Sequence, residues 1–158
     1  MNHNSADWLK RKDAESCDPA QMRPLDSVRW IDFSPNHDPR GTLTAIEGSQ
    51  TIPFEIKRVF YLTDVVADRA GHAHRDTHEL IVGLAGSFTV EVSDGLRNRS
   101  FEITAAHRGL YLPPMIFIRL RNFSPGTVML ALTSTHYDRA KSIRSWEEFL
   151  AALDEISQ

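Results

Sequence analysis

From Val28 to Tyr137 the chain is divided into short apolar runs separated by Gly, Pro, Asp or Ser. The runs are "VRWIDF", "GTLTAIE", "FEIKRVFYL", "HELIVGLAG", "SFTVEVSDG", "RNRSFEIT", "GLYLP", "IFIRLRNF" and "TVMLALTSTHY". Each is rich in β-branched or aromatic residues, which suit a pleated, half-buried surface. In "SFTVEVSDG", Phe88, Val90 and Val92 share one face, and Thr89 and Glu91 share the other. This period of two predicts a strand with one face on the core. Asp94-Gly95 then predicts a tight turn into "RNRSFEIT", since Gly tolerates positive φ. Pro113-Pro114 interrupts the sheet, because proline cannot donate to a ladder. Val128, Leu130 and Leu132 are expected to form another core face. Many short strands with turns every eight to twelve residues predict an all-β sandwich, jelly roll or barrel.

Only the end of the chain has helical spacing. "SIRSWEEFLAALDEIS" places Trp146, Phe149, Leu150, Leu153 and Ile156 on one face. Ser145 stands where an N-cap would, with Glu148 three residues later as in a capping box. A short C-terminal helix is therefore expected over about 144–156, packed on the outside of the sheets. Residues 1–27 are polar and aperiodic and are expected to form a flexible N-terminal extension. The domain is expected to occupy 28–158. The 18 Lys and Arg are interspersed with 21 Asp and Glu, for a net charge of -3. Without a basic stripe, no nucleic-acid partner is expected. No apolar run is long enough to span a membrane. The N-terminal stretch lacks the apolar middle of a signal peptide, so a cytoplasmic location is expected. Cys17 is the one cysteine, which leaves no intrachain disulfide and no cysteine-based zinc site.

Three of the seven histidines fall between positions 72 and 78. On a strand, His72 and His74 point to the same side. They suit a metal site, a proton-transfer site, or hydrogen bonding inside a barrel. His78 lies in the following turn and is expected to face solvent. The spacing H-x-H, four residues, Glu79, six residues, Gly86 resembles the first cupin motif. The second motif of metal-binding cupins would fall on "PPMIFIRLRN". Pro113 and Asn122 fit it, but Met115 replaces the usual Gly and Ile118 the usual His. An aliphatic side chain cannot ligate a metal. His72, His74 and Glu79 remain as a facial two-histidine, one-carboxylate set, and no metal is expected to serve the function.

The wider chain resembles the sugar-nucleotide 3,4-ketoisomerase family. The resemblance rests on "RGTLTAIE", "IPFEIKRVFYLTD", "RAGHAHRDTHELIVGLAGSFTVEV", "GLYLPP" and "NFSPGTVMLALTSTHYD" in this order, then an "I-R-x-W-x-x-F" segment. It spans roughly Val28 to Phe149. It implies an all-β cupin, a double-stranded β-helix or jelly-roll barrel, that works without metal or other cofactor. It also implies a homodimer with strand exchange. The implied substrate is a dTDP-linked 4-keto-6-deoxyhexose, whose keto group moves from carbon 4 to carbon 3 on the way to 3-aminosugars.

Such a shift passes through an enediol and needs a base near neutral pH. Histidine meets that requirement. His74 is expected to be the principal base, with His72 assisting or orienting it. The resemblance makes Arg40 and Arg69 candidates for the diphosphate, since guanidinium pairs with phosphate oxygens. Tyr61, Arg58 and Glu47 are further candidates for substrate binding. The family's "W-H-E" is Phe117, Ile118 and Arg119 here, and its usual Gly is Ala70. These departures leave open a metal-dependent cupin enzyme, a 3,5-epimerase-type enzyme and a non-catalytic sugar-nucleotide-binding cupin.

Overall fold

The computed structural model describes residues 23–157. Most of the expected N-terminal extension lies outside the described residues. Its last part, the 3-10 turn Pro24–Ser27, inserts Leu25 into the core. Twelve strands follow: β1 (Arg29–Asp32), β2 (Asn36–Asp38), β3 (Gly41–Leu43), β4 (Arg58–Leu62), β5 (Arg69–His74), β6 (Glu79–Ala85), β7 (Phe88–Ser93), β8 (Asn98–Ile103), β9 (Arg108–Leu112), β10 (Phe117–Arg121), β11 (Val128–Thr133) and β12 (Ser142–Ile143), and then helix α1 (Trp146–Ile156).

One sheet has the order β1-β9-β6-β11-β4 and the other β12-β5-β10-β7-β8, while β2 and β3 form a separate hairpin. All the pairings are antiparallel and mostly non-consecutive. The chain thus alternates between two facing sheets, which is the jelly roll of a cupin. The main core lies between them. Ile81, Leu110, Met129 and Ala131 from the first sheet meet Phe88, Val90, Val92, Ile118 and Leu120 from the second.

The alternation in β7 survives folding, with Phe88, Val90 and Val92 fully buried. The second core face expected on β11 is found in part, with Leu132 and Leu130 in it and Val128 outside it. The inward residues of β11 are Met129 and Ala131, whereas Leu130 and Leu132 join a second cluster on the outer face of the first sheet. Ile52 and Phe54, from the loop before β4, cover part of that face with Phe33, Leu80, Val82 and Tyr111. Both faces of β11 are apolar because both are covered.

Helix α1 begins as its cap residues dictate. The Ser145 side chain accepts a hydrogen bond from the Glu148 amide at 3.1 Å. The Glu148 carboxylate reaches back to the Arg144 amide at 3.0 Å, one residue before the N-cap. Phe149 and Ala152 pack with Ala73, Phe117 and Ile143 on the outer face of the second sheet. Two glycines are required by their surroundings. A Cβ at Gly71 would stand 2.2 Å from the Phe117 ring, which is held by Trp146 and Phe149. Gly86 has φ +70°, and a Cβ there would meet the Thr127 hydroxyl at 2.4 Å.

Candidate active site

Strand β5 brings the two histidines together. Ala73 turns outward and is buried beneath α1, so His72 and His74 turn inward. Their rings lie edge to face, with centroids 5.1 Å apart. β12 holds one side of this strand through the pair Ser142 and His74. β10 holds the other, placing Ile118 opposite His72. The Met115 amide donates to the His74 carbonyl at 2.9 Å, fixing the strand end.

Both imidazoles open into a cavity of about 880 Å³ between the sheets. Its floor is apolar, with Ile81, Ile118, Leu120 and Met129. Arg58, Phe60 and Leu62 enter from β4, Glu79 from β6, and Arg69, Tyr137, Ser142 and Arg144 from the surrounding segments.

Burial lowers the pKa of His74, and the positive charge of Arg58 acts in the same direction; Asp76 opposes both. Desolvation disfavours the imidazolium, which leaves His74 neutral and able to accept a proton. Glu79 is shifted the other way. Burial pushes its carboxyl from about 4.5 up to about 7, against the pull of Arg58. The Nε of Arg58 is buried and has no hydrogen-bond partner among the described residues. The Arg58 guanidinium lies 5.3 Å from the Tyr137 ring centroid, and Arg144 donates to the Tyr137 hydroxyl at 3.0 Å.

Donor atoms of His72, His74 and Glu79 all lie within 4.8 Å of one another. They match three of the four ligands in the metal-binding cupin pattern. The fourth position is Ile118, which faces His72 with no donor atom.

Of the expected substrate-binding residues, Arg58 and Arg69 line the cavity. Arg40, Tyr61 and Glu47 lie elsewhere in the single chain. Arg40 sits at the β2–β3 turn, paired with Asp38 and with its side chain 90% exposed. Tyr61 alternates with the inward Phe60 and Leu62, so it leaves the outer face of β4 and is 68% exposed. Glu47 lies in an exposed turn, where its carbonyl accepts from the Thr51 amide at 2.9 Å.

The expectation for His78 is corrected. Its Nδ1 shares a 2.7 Å hydrogen bond with the Tyr111 hydroxyl, and its ring stacks on Tyr111 and Phe54. It is half-buried on the outer face of the first sheet, away from the cavity. Tyr137 and Arg144 belong to the cavity but were given no role from the sequence. "STHYD" and "I-R-x-W" carried the only signal for them.

A jelly roll with two imidazoles and a buried carboxyl at its open end defines a cupin of the enzyme class. The chain belongs, within that class, to the sugar-nucleotide 3,4-ketoisomerase family. The family model described as "FdtA: WxcM-like, C-terminal" matches residues 26–154. A relative from Aneurinibacillus thermoaerophilus, TDP-4-oxo-6-deoxy-alpha-D-glucose-3,4-oxoisomerase, is 35% identical over 129 residues. The match covers 80% of this chain and 93% of that protein. The crystal structure of QdtA, a sugar 3,4-ketoisomerase from Thermoanaerobacterium thermosaccharolyticum in complex with TDP, superposes with a TM-score of 0.80 at 32% identity. That superposition covers 85% of this chain and 99% of QdtA. A QdtA mutant in complex with TDP-4-keto-6-deoxyglucose gives a TM-score of 0.78 at 32% identity, covering 81% and 94% of the two chains.

Proposed function

We propose that this protein moves the keto group of dTDP-4-keto-6-deoxy-D-glucose from carbon 4 to carbon 3, in deoxyaminosugar synthesis. The relatives' ligands support this substrate, since QdtA was crystallised with TDP and its mutant with TDP-4-keto-6-deoxyglucose. The observation that carries the mechanism is the pair of imidazoles, His74 beside His72 on one strand, opening into one cavity, where burial favours the uncharged form of His74. A proton next to a ketone is acidic because its loss leaves an enolate. His74 takes that proton from carbon 3, and the enediol follows. His72 packs edge to face against His74 and orients it. Arg69 stands exposed at the mouth and receives the diphosphate by paired donation. Arg58, whose buried Nε has no hydrogen-bond partner among the described residues, holds substrate oxygen deeper in the cavity.

Incubation with dTDP-4-keto-6-deoxyglucose in deuterated water, followed by NMR, tests the reading. A 3-keto product is expected, with deuterium at carbon 4 to the extent that the proton held on His74 exchanges with solvent before it is returned. Absence of both product and deuterium uptake sinks it for this substrate. Deuterium at carbons 3 and 5, with the keto group still on carbon 4, would instead indicate epimerase chemistry.

The working unit in this proposal is a homodimer. The β2–β3 hairpin is exposed along its length and packs in neither sheet. Leu43, Val59, Tyr61 and Leu84 are exposed apolar side chains on the hairpin and the first sheet. Such surface is costly to leave in water, and pairing two copies covers it. The same pairing offers Arg40 and Tyr61 to the neighbouring chain. Sedimentation equilibrium should give twice the chain mass; a fully active monomer would remove this part of the proposal.

A further inference from the structure

The keto shift relocates two protons, one between carbons and one between oxygens. Carbon 3 loses a proton and carbon 4 gains one. Oxygen 3 loses a proton and oxygen 4 gains one. While a single imidazole nitrogen holds the carbon-bound proton, it cannot also serve the oxygens. The reaction therefore needs a second carrier that can give a proton and take one back.

Glu79 stands where such a carrier is needed. It begins β6 with its side chain on the inner face, buried, lining the same cavity as the histidines. Its carboxyl lies within 4.8 Å of donor atoms of both imidazoles. A carboxyl has two oxygens on one carbon, so it can give from one and accept at the other, facing two adjacent substrate oxygens. Among the cavity's other polar groups, His72 is committed in this reading to orienting His74, Asp64 and Asp68 are exposed on the loop before β5, and Arg58 and Tyr137 suit the task less. Arg58 is a guanidinium, which offers donors and no acceptor. The Tyr137 hydroxyl accepts from Arg144 on an exposed ring. Glu79 is 4% exposed, and a carboxyl held out of water favours its neutral acid form, so it has a proton to give at the start.

Building on the isomerase reading, we propose that Glu79 is a catalytic residue that carries the oxygen-bound proton. His74 takes the proton from carbon 3 as the Glu79 acid protonates oxygen 4, giving the enediol. The Glu79 carboxylate then takes the proton from oxygen 3 as the His74 imidazolium protonates carbon 4. The carbon–carbon double bond is consumed and the carbon 3 ketone forms. Both residues return to their starting states, and no oxidant or reductant is required.

The test follows carbon and oxygen transfer separately, in Glu79→Gln and Glu79→Leu. Gln retains the shape and an N–H donor but cannot lose and regain a proton. Each variant is given dTDP-4-keto-6-deoxyglucose in deuterated water. In Glu79→Gln the 3-keto product should fall by about a hundredfold or more. Deuterium should still enter carbon 3 of unconverted substrate within about tenfold of the wild-type rate, because His74 is intact and the Gln N–H still donates to oxygen 4, whereas Gln cannot take the proton from oxygen 3. His74→Asn should lose both. Glu79→Leu, which places an apolar side chain in an apolar setting, supplies the product measurement if Glu79→Gln fails to fold. Wild-type product formation in Glu79→Gln or Glu79→Leu would overturn the proposal. Equal loss of exchange and product in a folded Glu79→Gln would also overturn it, because the role would then be positioning. So would a stoichiometric divalent ion in the purified protein whose chelation stops turnover, which would make Glu79 a ligand. Exchange and product both surviving in His74→Asn would instead sink the parent assignment of His74.

Discussion

His74→Asn is expected to stop product formation, with a loss of about a thousandfold or more, while the fold persists. General-base catalysis contributes about a hundred- to ten-thousandfold. The strand should tolerate the change. His74 is tied to its neighbours through its backbone, accepting from the Met115 amide and pairing with Ser142. Asn is polar and shorter, so it creates no clash. The lowered pKa of His74 adds a pH signature. Burial and Arg58 disfavour its charged form, against Asp76. His72 and Glu79 are the other titratable groups facing it. Wild-type turnover should therefore hold as pH falls to the ordinary histidine value of about 6.5 and decline only below it. Circular dichroism checks the fold and the NMR assay checks turnover. Near-normal turnover in a folded variant would remove His74 from the mechanism.

Glu79→Gln should also change how stability depends on pH. The folded chain keeps the Glu79 proton up to about pH 7, whereas an ordinary carboxyl releases it at about 4.5. Between those values the folded state binds more protons than the unfolded state. Raising the pH then favours unfolding. The relative advantage of the protonated carboxyl is complete below about pH 4.5 and is lost as pH rises through about 7. A shift from 4.5 to about 7 corresponds to roughly 3 kcal/mol. Gln is neutral in both states and carries no such dependence. Urea unfolding of both proteins at pH 4.5 and pH 8 should therefore show wild type losing roughly 3 kcal/mol relative to the variant across the range. A stability difference that does not change with pH would mean that Glu79 does not titrate there.

Much of the fold was legible in short stretches. Phe88, Val90 and Val92 alternate with Thr89 and Glu91, and the alternation names the buried face because only one side is continuously apolar. Ser145 and Glu148 mark the helix start, since the cap bonds join residues only a few positions apart. The placement of His72 and His74 on one side of a strand followed from the two-residue period alone. Their opening into one cavity, with Arg58 and Arg69 on its walls, agrees with that spacing.

The rest depended on partners distant in the chain. In β11 both sides are apolar, so alternation could not distinguish Met129 and Ala131 inside from Leu130 and Leu132 outside. His78 looked solvent-facing because Phe54 and Tyr111, which enclose it, come from separate segments. Tyr61 sits in the expected strand, but the register with β11 turns it away from the cavity. Glu79 had the spacing of a metal ligand, while its protonation is set by the burial of β6 between β9 and β11.

By itself, then, the sequence determined most of the strands, though not β2 or β12 or the true length of β3 and β4, and it determined the helix cap and the paired histidines, because each depends on bonding or steric preference among near neighbours. Tertiary structure alone decided which side chains share the cavity and which protons they hold. Those properties depend on strand pairing and on exclusion of water, and both require the whole chain to be folded.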